Sequence, residues 1–256
     1  MQSSLDPYLD GKSLLHNRDP RAKLLVTIVL VVAIVLVPAG KWETFGFFGL
    51  IIISMTAIAR ISFVRLLRRV LVALPFVIPT VILLPFLHGG EVLWQTRVSG
   101  WHLTLGSAGL VLAASITLKA MLSALVMGLL MFTTRMSDLL RGLDKLGVPR
   151  LLTELFGFMY RYLFVLEDEA HRLKAGRDTR YFGGVMIGIR SAGHMAGSLF
   201  LRSYDRAERV YNAMLLRGYD GTYRSLNPLR MGRVDLLLIL VMVALAVTIS
   251  LVARWL

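Results

Sequence analysis

Two arginine-ended segments hold the residues whose types and spacing best suit a specific chemistry, and in this chain that chemistry is docking. Residues 203–218 read SYDRAERVYNAMLLRG and residues 167–180 read EDEAHRLKAGRDTR. In the first, Ser203 suits an N-cap, Asp205 and Glu208 suit the positive start of a helix, and Ala207, Val210 and Met214 form an apolar stripe that Arg217 extends. Gly218 can take the left-handed conformation of a C-cap and Asp220-Gly221 makes a turn, so the helix is expected to present Arg217 at its tip. In the second, Leu163, Leu166, Ala170 and Leu173 line one helix face, which Arg177 and Arg180 continue, and Asp168 and Arg172 stand at the i,i+4 spacing of an ion pair. A guanidinium at a helix tip keeps its charge and bonds two oxygens at once, which suits a carboxylate on another protein. The same placement also suits a solvated arginine that the helix dipole favours near a C-terminus.

Other chemistries find no residues to carry them. Cysteine is absent, so disulfides and Cys-ligated metal or redox centres are excluded. His16, His88, His102, His171 and His194 show no metal-ligand spacing. No glycine-rich loop is followed by Lys-Ser/Thr, so the chain holds no cofactor of its own and any ATP is bound by a partner. Met121, Met127 and Met131 read as gap-filling core residues rather than a soft-metal path. A membrane-embedded lipid-acting enzyme would gather Asp, Glu and His on one helix face, and a stand-alone carrier or channel would carry intramembrane charge beyond Lys119; neither pattern is present. Lys119 itself reads first as a paired or snorkelling structural lysine and second as a functional one. The arginines of residues 135–233 alternate with Asp and Glu, unlike a nucleic-acid surface, while contact with membrane lipid fits as a secondary role.

The elements that must position these tips are membrane helices. Hydrophobic residues make up 56% of the 256-residue chain and mean hydropathy is +0.66, which points to a polytopic membrane protein. Residues 1–20 have no apolar core, so no cleavable signal is expected and the first span is its own targeting signal. Spans are expected at residues 22–37, 45–59, 70–87, 107–132 and 236–253, with Trp42 as an interfacial anchor. Arg60, Arg65, Arg68 and Arg69 are expected to form a basic turn, Pro75, Pro79 and Pro85 to kink the third span, and residues 88–106, with Trp94 and Trp101, to form a polar loop. Residues 139–149 read as a short helix stopped by Gly147 and Pro149. With the N-terminus and residues 135–233 cytoplasmic, 25 of the 29 lysines and arginines fall on the cytoplasmic side. That count keeps the ambiguous apolar runs 151–166 and 185–201 out of the bilayer. The expected organisation is a four-span bundle at 1–134, a cytoplasmic block at 135–233 and a last span at 234–256.

Three stretches in this order resemble the transmembrane T-component of energy-coupling factor (ECF) transporters, and the CbiQ type of cobalt uptake systems in particular. They are SLLHNRDPRAKLL (residues 13–25), with Ser13, Leu14, His16, Asp19, Pro20, Arg21 and Lys23 on the family pattern; LLRGLDKLGVP (139–149) followed by MYRYLFVLEDEAHRL (159–173); and ERVYNAMLLRGYDG (208–221). The last is similar to the second of the family's two Ala-Arg-Gly signatures, with Leu216 in place of alanine. The first signature falls by register on Thr179-Arg180-Tyr181, with Arg177 as the competing candidate. The resemblance implies an L-shaped, all-α fold: a membrane helix bundle of about five spans with long cytoplasmic coupling helices. It further implies that Arg217, Gly218 and Arg180 or Arg177 dock onto a pair of ABC-type ATPase subunits. The partner that binds substrate would be a separate membrane S-component, CbiM-like, with or without a small CbiN-like subunit. The chain would then be a non-catalytic subunit of a cobalt or nickel importer in the cell inner membrane.

Overall fold

Local sequence sets most of the helix ends. In this computed structural model, which describes residues 11, 13–16, 18–87, 92–98, 101–179, 185–221, 229 and 231–255, helix α1 spans Pro20–Leu36. Asp19 caps it by accepting the Arg21 N–H at 2.9 Å, and Pro20 takes the first helical position, where its missing N–H costs nothing. Helix α2 (Trp42–Ala59) ends at Arg60, which turns the chain left-handed at φ 55°. Helix α3 (Phe63–Leu87) starts well before the expected residue 70, so Arg65 and Arg68 lie on its opening turns rather than in a loop. It bends by 59° between Phe63–Val72 and Leu74–Pro85. Pro75 explains the bend, since it lacks the N–H for residue 71 and its ring crowds that carbonyl.

Strands β1 (Val92–Val98) and β2 (Trp101–Gly106) pair antiparallel, with Val98 opposite Trp101, where a polar loop was expected. Helices α4 (Ser107–Thr133), α5 (Met136–Lys145), α6 (Arg150–Asp178), α7 (Val185–Leu216) and α8 (Arg233–Trp255) complete an otherwise all-α membrane fold.

The chain divides into two compact units, one of Ser4–Gly142 with Leu229–Leu256 and one of Leu143–Pro228. In the first, α1 to α4 alternate in direction. Lys23, on the first turn of α1, donates to the Thr133 carbonyl at the end of α4 (3.0 Å), and the Gly40 N–H, past the end of α1, donates to Ser115 Oγ near the start of α4 (3.1 Å). Leu66 on early α3 packs against Gly128 on late α4, and Arg18 pairs with Asp235 on the first turn of α8 at 3.8 Å. One end of this bundle therefore gathers the starts of α1, α3 and α8 and the finishes of α2 and α4. Phe48, Leu30, Ile34, Ile52 and Leu66 form the centre of its core.

Helices α2, α4 and α8 are each long and apolar enough to cross a membrane, and α3 joins them as a bent pair. Five spans were expected; the difference is α1, which Pro20 and Pro38 confine to 17 residues, about 25 Å of helix. In the second unit, α6 and α7 absorb the ambiguous runs 151–166 and 185–201, and neither helix is a candidate span. Ser203, expected as an N-cap, sits in the middle of the 32-residue α7 and donates its hydroxyl to the Phe200 carbonyl at 2.7 Å; Asp205 and Glu208 are likewise far from a helix start.

Candidate coupling site

The α7 tip is built by the backbone. The Gly218 N–H donates to the Leu215 carbonyl and the Tyr219 N–H to the Met214 carbonyl, both at 3.0 Å, with Gly218 at φ 79°. This paired arrangement closes the last turn and needs a left-handed residue where Gly218 stands. Arg217 precedes it, exposed, and makes no ion pair among the described residues. Leu216 beside it is 91% exposed, so the tip presents an exposed cation beside an uncovered leucine. Tyr219 steadies the tip by donating its hydroxyl to Glu154 Oε2 at 3.4 Å. Partial burial and the Glu154 carboxylate hold its phenol above the ordinary tyrosine value, so it stays protonated, as a donor, at neutral pH.

The end of α6 is built differently. Arg177, in its last turn, gives Nε and Nη2 to Asp178 Oδ1 at 3.0 and 2.8 Å and is half-buried. Its guanidinium is thus engaged by its neighbour. Arg180 lies outside the described residues. The expected Asp168–Arg172 pair does not form, and both side chains are exposed. Glu169 instead reaches across to Arg202 on α7 at 2.6 Å. With Tyr219 on Glu154 and Arg202 on Glu169, α6 and α7 run antiparallel. About 35 Å of α6 separates Arg177 from Glu154, beside which the α7 tip sits. Of the described candidates, Arg177 and Arg217 lie toward opposite ends of the pair.

Comparison with known proteins places this architecture. A family model described as cobalt transport protein, CbiQ, matches residues 11–229. The chain belongs to the CbiQ family. Relatives of this CbiQ chain include the energy-coupling factor transporter transmembrane protein EcfT of Acidaminococcus fermentans, 28% identical over 98% of this chain and 97% of the relative. EcfT of Bacillus subtilis is 29% identical over 84% of this chain and 83% of its own length. A protein of Methanocorpusculum labreanum named as a fused cobalt transport protein, CbiMQ, is 27% identical over 68% of this chain and 29% of its own length.

The CbiQ motif that precedes α1 has a structural reading that its sequence did not disclose. Ser13 Oγ bonds His16 Nδ1 at 2.6 Å, Asp19 caps α1, and Lys23, buried, donates to the His16 and Thr133 carbonyls at 3.0 Å each. Asp235 accepts the Gly232 N–H at 2.9 Å, as the acidic member of a capping box does three residues past the cap. The Gly-x-x-Asp spacing of 232–235 was the available signal. Lys119 donates to the Val35 carbonyl at 2.9 Å, one of the otherwise unbonded carbonyls at the end of α1, and this is the structural reading of that lysine. Among the described residues no group of His, Asp and Glu could hold a metal ion.

Proposed function

We propose that this membrane chain is the transmembrane T-component of an ECF-type importer, a non-catalytic subunit that passes ATP-driven motion from a pair of ABC-type ATPase subunits to a separate substrate-binding membrane subunit. The observation that carries this reading is the α7 tip, where a fixed left-handed cap presents Arg217 exposed, with no ion pair among the described residues, and Leu216 uncovered. Such a tip is complete only when an acidic, partly apolar groove of another protein receives it. The second docking arginine is Arg180 by register, with Arg177 as the alternative; roughly 35 Å between the two tips suits two separate grooves rather than one.

The membrane partner has its own surface. Leu151, Leu155 and Met159 recur every fourth residue on α6, with Leu152, Phe156 and Leu163 beside them, and all six are exposed. A ridge of this kind fits a hydrophobic S-component and is far larger than solvated helices carry without a partner. The CbiQ family and the CbiMQ relative support cobalt, or the closely similar nickel ion, as substrate, and a CbiM-like protein as the S-component. ATP-driven closure of the ATPase pair would move both tips, and the coupling depends on contacts that differ between open and closed states. The N-terminus and α6–α7 are cytoplasmic in this reading, where the ATPases are.

Replacing Arg180 and Arg217 together with glutamate is expected to leave membrane insertion intact and to weaken ATPase binding by about 700-fold, since each reversed charge at a docking contact costs ~2 kcal/mol. Co-purification of the ATPase measures it. Undiminished recovery of the ATPase with R180E/R217E would sink the docking assignment.

A further inference from the structure

Three helices end with the same pair of hydrogen bonds. In α5 the Gly147 and Val148 N–H groups bond Asp144 and Leu143, in α7 those of Gly218 and Tyr219 bond Leu215 and Met214, and in α2 those of Arg60 and Ile61 bond Ala57 and Thr56. Two of the three left-handed positions are glycine, at φ 99° and 79°; the third is Arg60, the one non-glycine residue with positive φ among the described residues. An L side chain adopts this conformation at a cost that glycine escapes. A strained position held by an arginine points to a use for that side chain.

Its surroundings indicate the use. Arg65 and Arg68 follow on α3 at the i,i+3 spacing that places both on one face. Arg60, Arg65 and Arg68 are all exposed and none makes an ion pair among the described residues. The turn beneath them is anchored, because Ile61, Leu66 and Val70 are buried and Leu66 lies against Gly128. Flanking them, Ile58, Phe63, Val64, Leu71 and Val72 are exposed apolar residues. In a membrane bundle such residues face acyl chains, so the arginines stand on the rim where hydrocarbon gives way to water. The unbonded N–H groups at the start of α3 add positive partial charge at the same level.

We propose that the α2–α3 turn is a binding site for an anionic phospholipid. Arg60, Arg65 and Arg68 take its headgroup phosphate, and Leu71 and Val72, further along α3 and so deeper than the arginines, lie along its chains. The combination selects the occupant: at the rim of a membrane bundle the apolar flanks already lie against acyl chains, which a soluble protein would have to displace, and a neutral lipid would match the flanks but supply no counter-charge to three cations that make no ion pair among the described residues. The site is independent of the coupling role.

The test uses the full chain in detergent, with phosphatidylglycerol or phosphatidylcholine added at equal concentration, read by native mass spectrometry and by thermal unfolding. Phosphatidylglycerol is expected to give the higher occupancy and the larger rise in Tm, both declining with salt. Arg60→Gly is expected to lower phosphatidylglycerol occupancy about fivefold while Tm without lipid holds or rises, because glycine suits the left-handed position. R60G/R65Q/R68Q is expected to erase the preference; where that triple variant fails to fold, R60G alone decides. Equal binding of the two lipids by the native chain would overturn the proposal, as would an undiminished preference in R60G. Inorganic phosphate protecting as well as the lipid would make this a simple anion site and overturn it. So would a variant that keeps its lipid preference but loses an acidic partner protein.

Discussion

Lys23 holds together segments far apart in sequence. Its ammonium meets the carbonyls of His16 and Thr133, the second 110 positions away, and Asp19, Asp138 and Asp235 supply the countercharge. Lys23→Met keeps the stem and removes the head, taking this donor from the buried Thr133 carbonyl and the part-buried His16 carbonyl and leaving acidic groups without their cation. The expected loss is about 3 kcal/mol of stability, seen as a lower unfolding midpoint in detergent. A loss below ~1 kcal/mol would mean that water replaces the ammonium without difficulty. Sequence placed Lys23 in a motif but gave no sign of its partners, since nothing in the spacing of a lysine reports a carbonyl at the far end of α4. Lys119 was legible by elimination, because a cation within an apolar helix must find an acceptor and the end of α1 provides one. The place of Arg217 at the tip of α7 was legible by its neighbour Gly218, whereas the engagement of Arg177 by Asp178 depends on side-chain conformation, which adjacency in sequence leaves open.

Helix ends were read correctly where a residue is forced by backbone geometry. Gly147 and Gly218 sit at left-handed positions; Asp19-Pro20, which starts α1, was placed in a motif but not read as a helix start, and the first span was expected from residue 22. Ser203 misled because a serine hydroxyl satisfies itself as well on a carbonyl three residues back as on an N-terminal N–H, and no glycine or proline interrupts residues 198–216 to favour the second. The hairpin was missed although Val92, Val98, Trp94 and Trp101 are strand formers around a Ser-Gly pair, because 88–106 was weighed by polarity alone. At the scale of packed helices, α3 meets α4 through Leu66 and Gly128, where an added Cβ would stand 3.1 Å from Leu66 Cδ1. Gly128→Ala should cost about 1 kcal/mol and Gly128→Val about 3 kcal/mol, because the valine branches have nowhere to go against a fully buried leucine. Leu66→Ala combined with Gly128→Val should recover part of that loss, and equilibrium unfolding of the native chain, Leu66→Ala, Gly128→Val and the double variant would show whether the two sites couple.

Across the whole molecule, alternating helix directions collect Arg18, Arg21, Lys23, Arg60, Arg65, Arg68 and Arg233 at one end of the bundle, so the charge asymmetry counted in sequence becomes a spatial one. Placed toward the cytoplasm, as proposed, that end should be shielded in intact cells. With no native cysteine to remove, Glu43→Cys is expected to react with a membrane-impermeant maleimide from outside, and Ser62→Cys and Arg209→Cys only after permeabilisation. The inverse labelling pattern would reverse the topology and remove the ATPases from reach of α7.

Helix α1 packs on α8, the first and last of the described helices, with Ala246 in the shared core and Arg18 paired to Asp235. A ribosome therefore releases residues 143–228 before the bundle that precedes them can be finished. Until α8 is threaded into the bilayer, α1 holds one flank bare, a vacancy that insertion machinery or a chaperone must shelter. On the coupling role proposed above, a nonsense mutation between α7 and α8 would yield a subunit with the α7 tip formed and no closed bundle behind it, a dominant competitor for the ATPase pair rather than a silent loss.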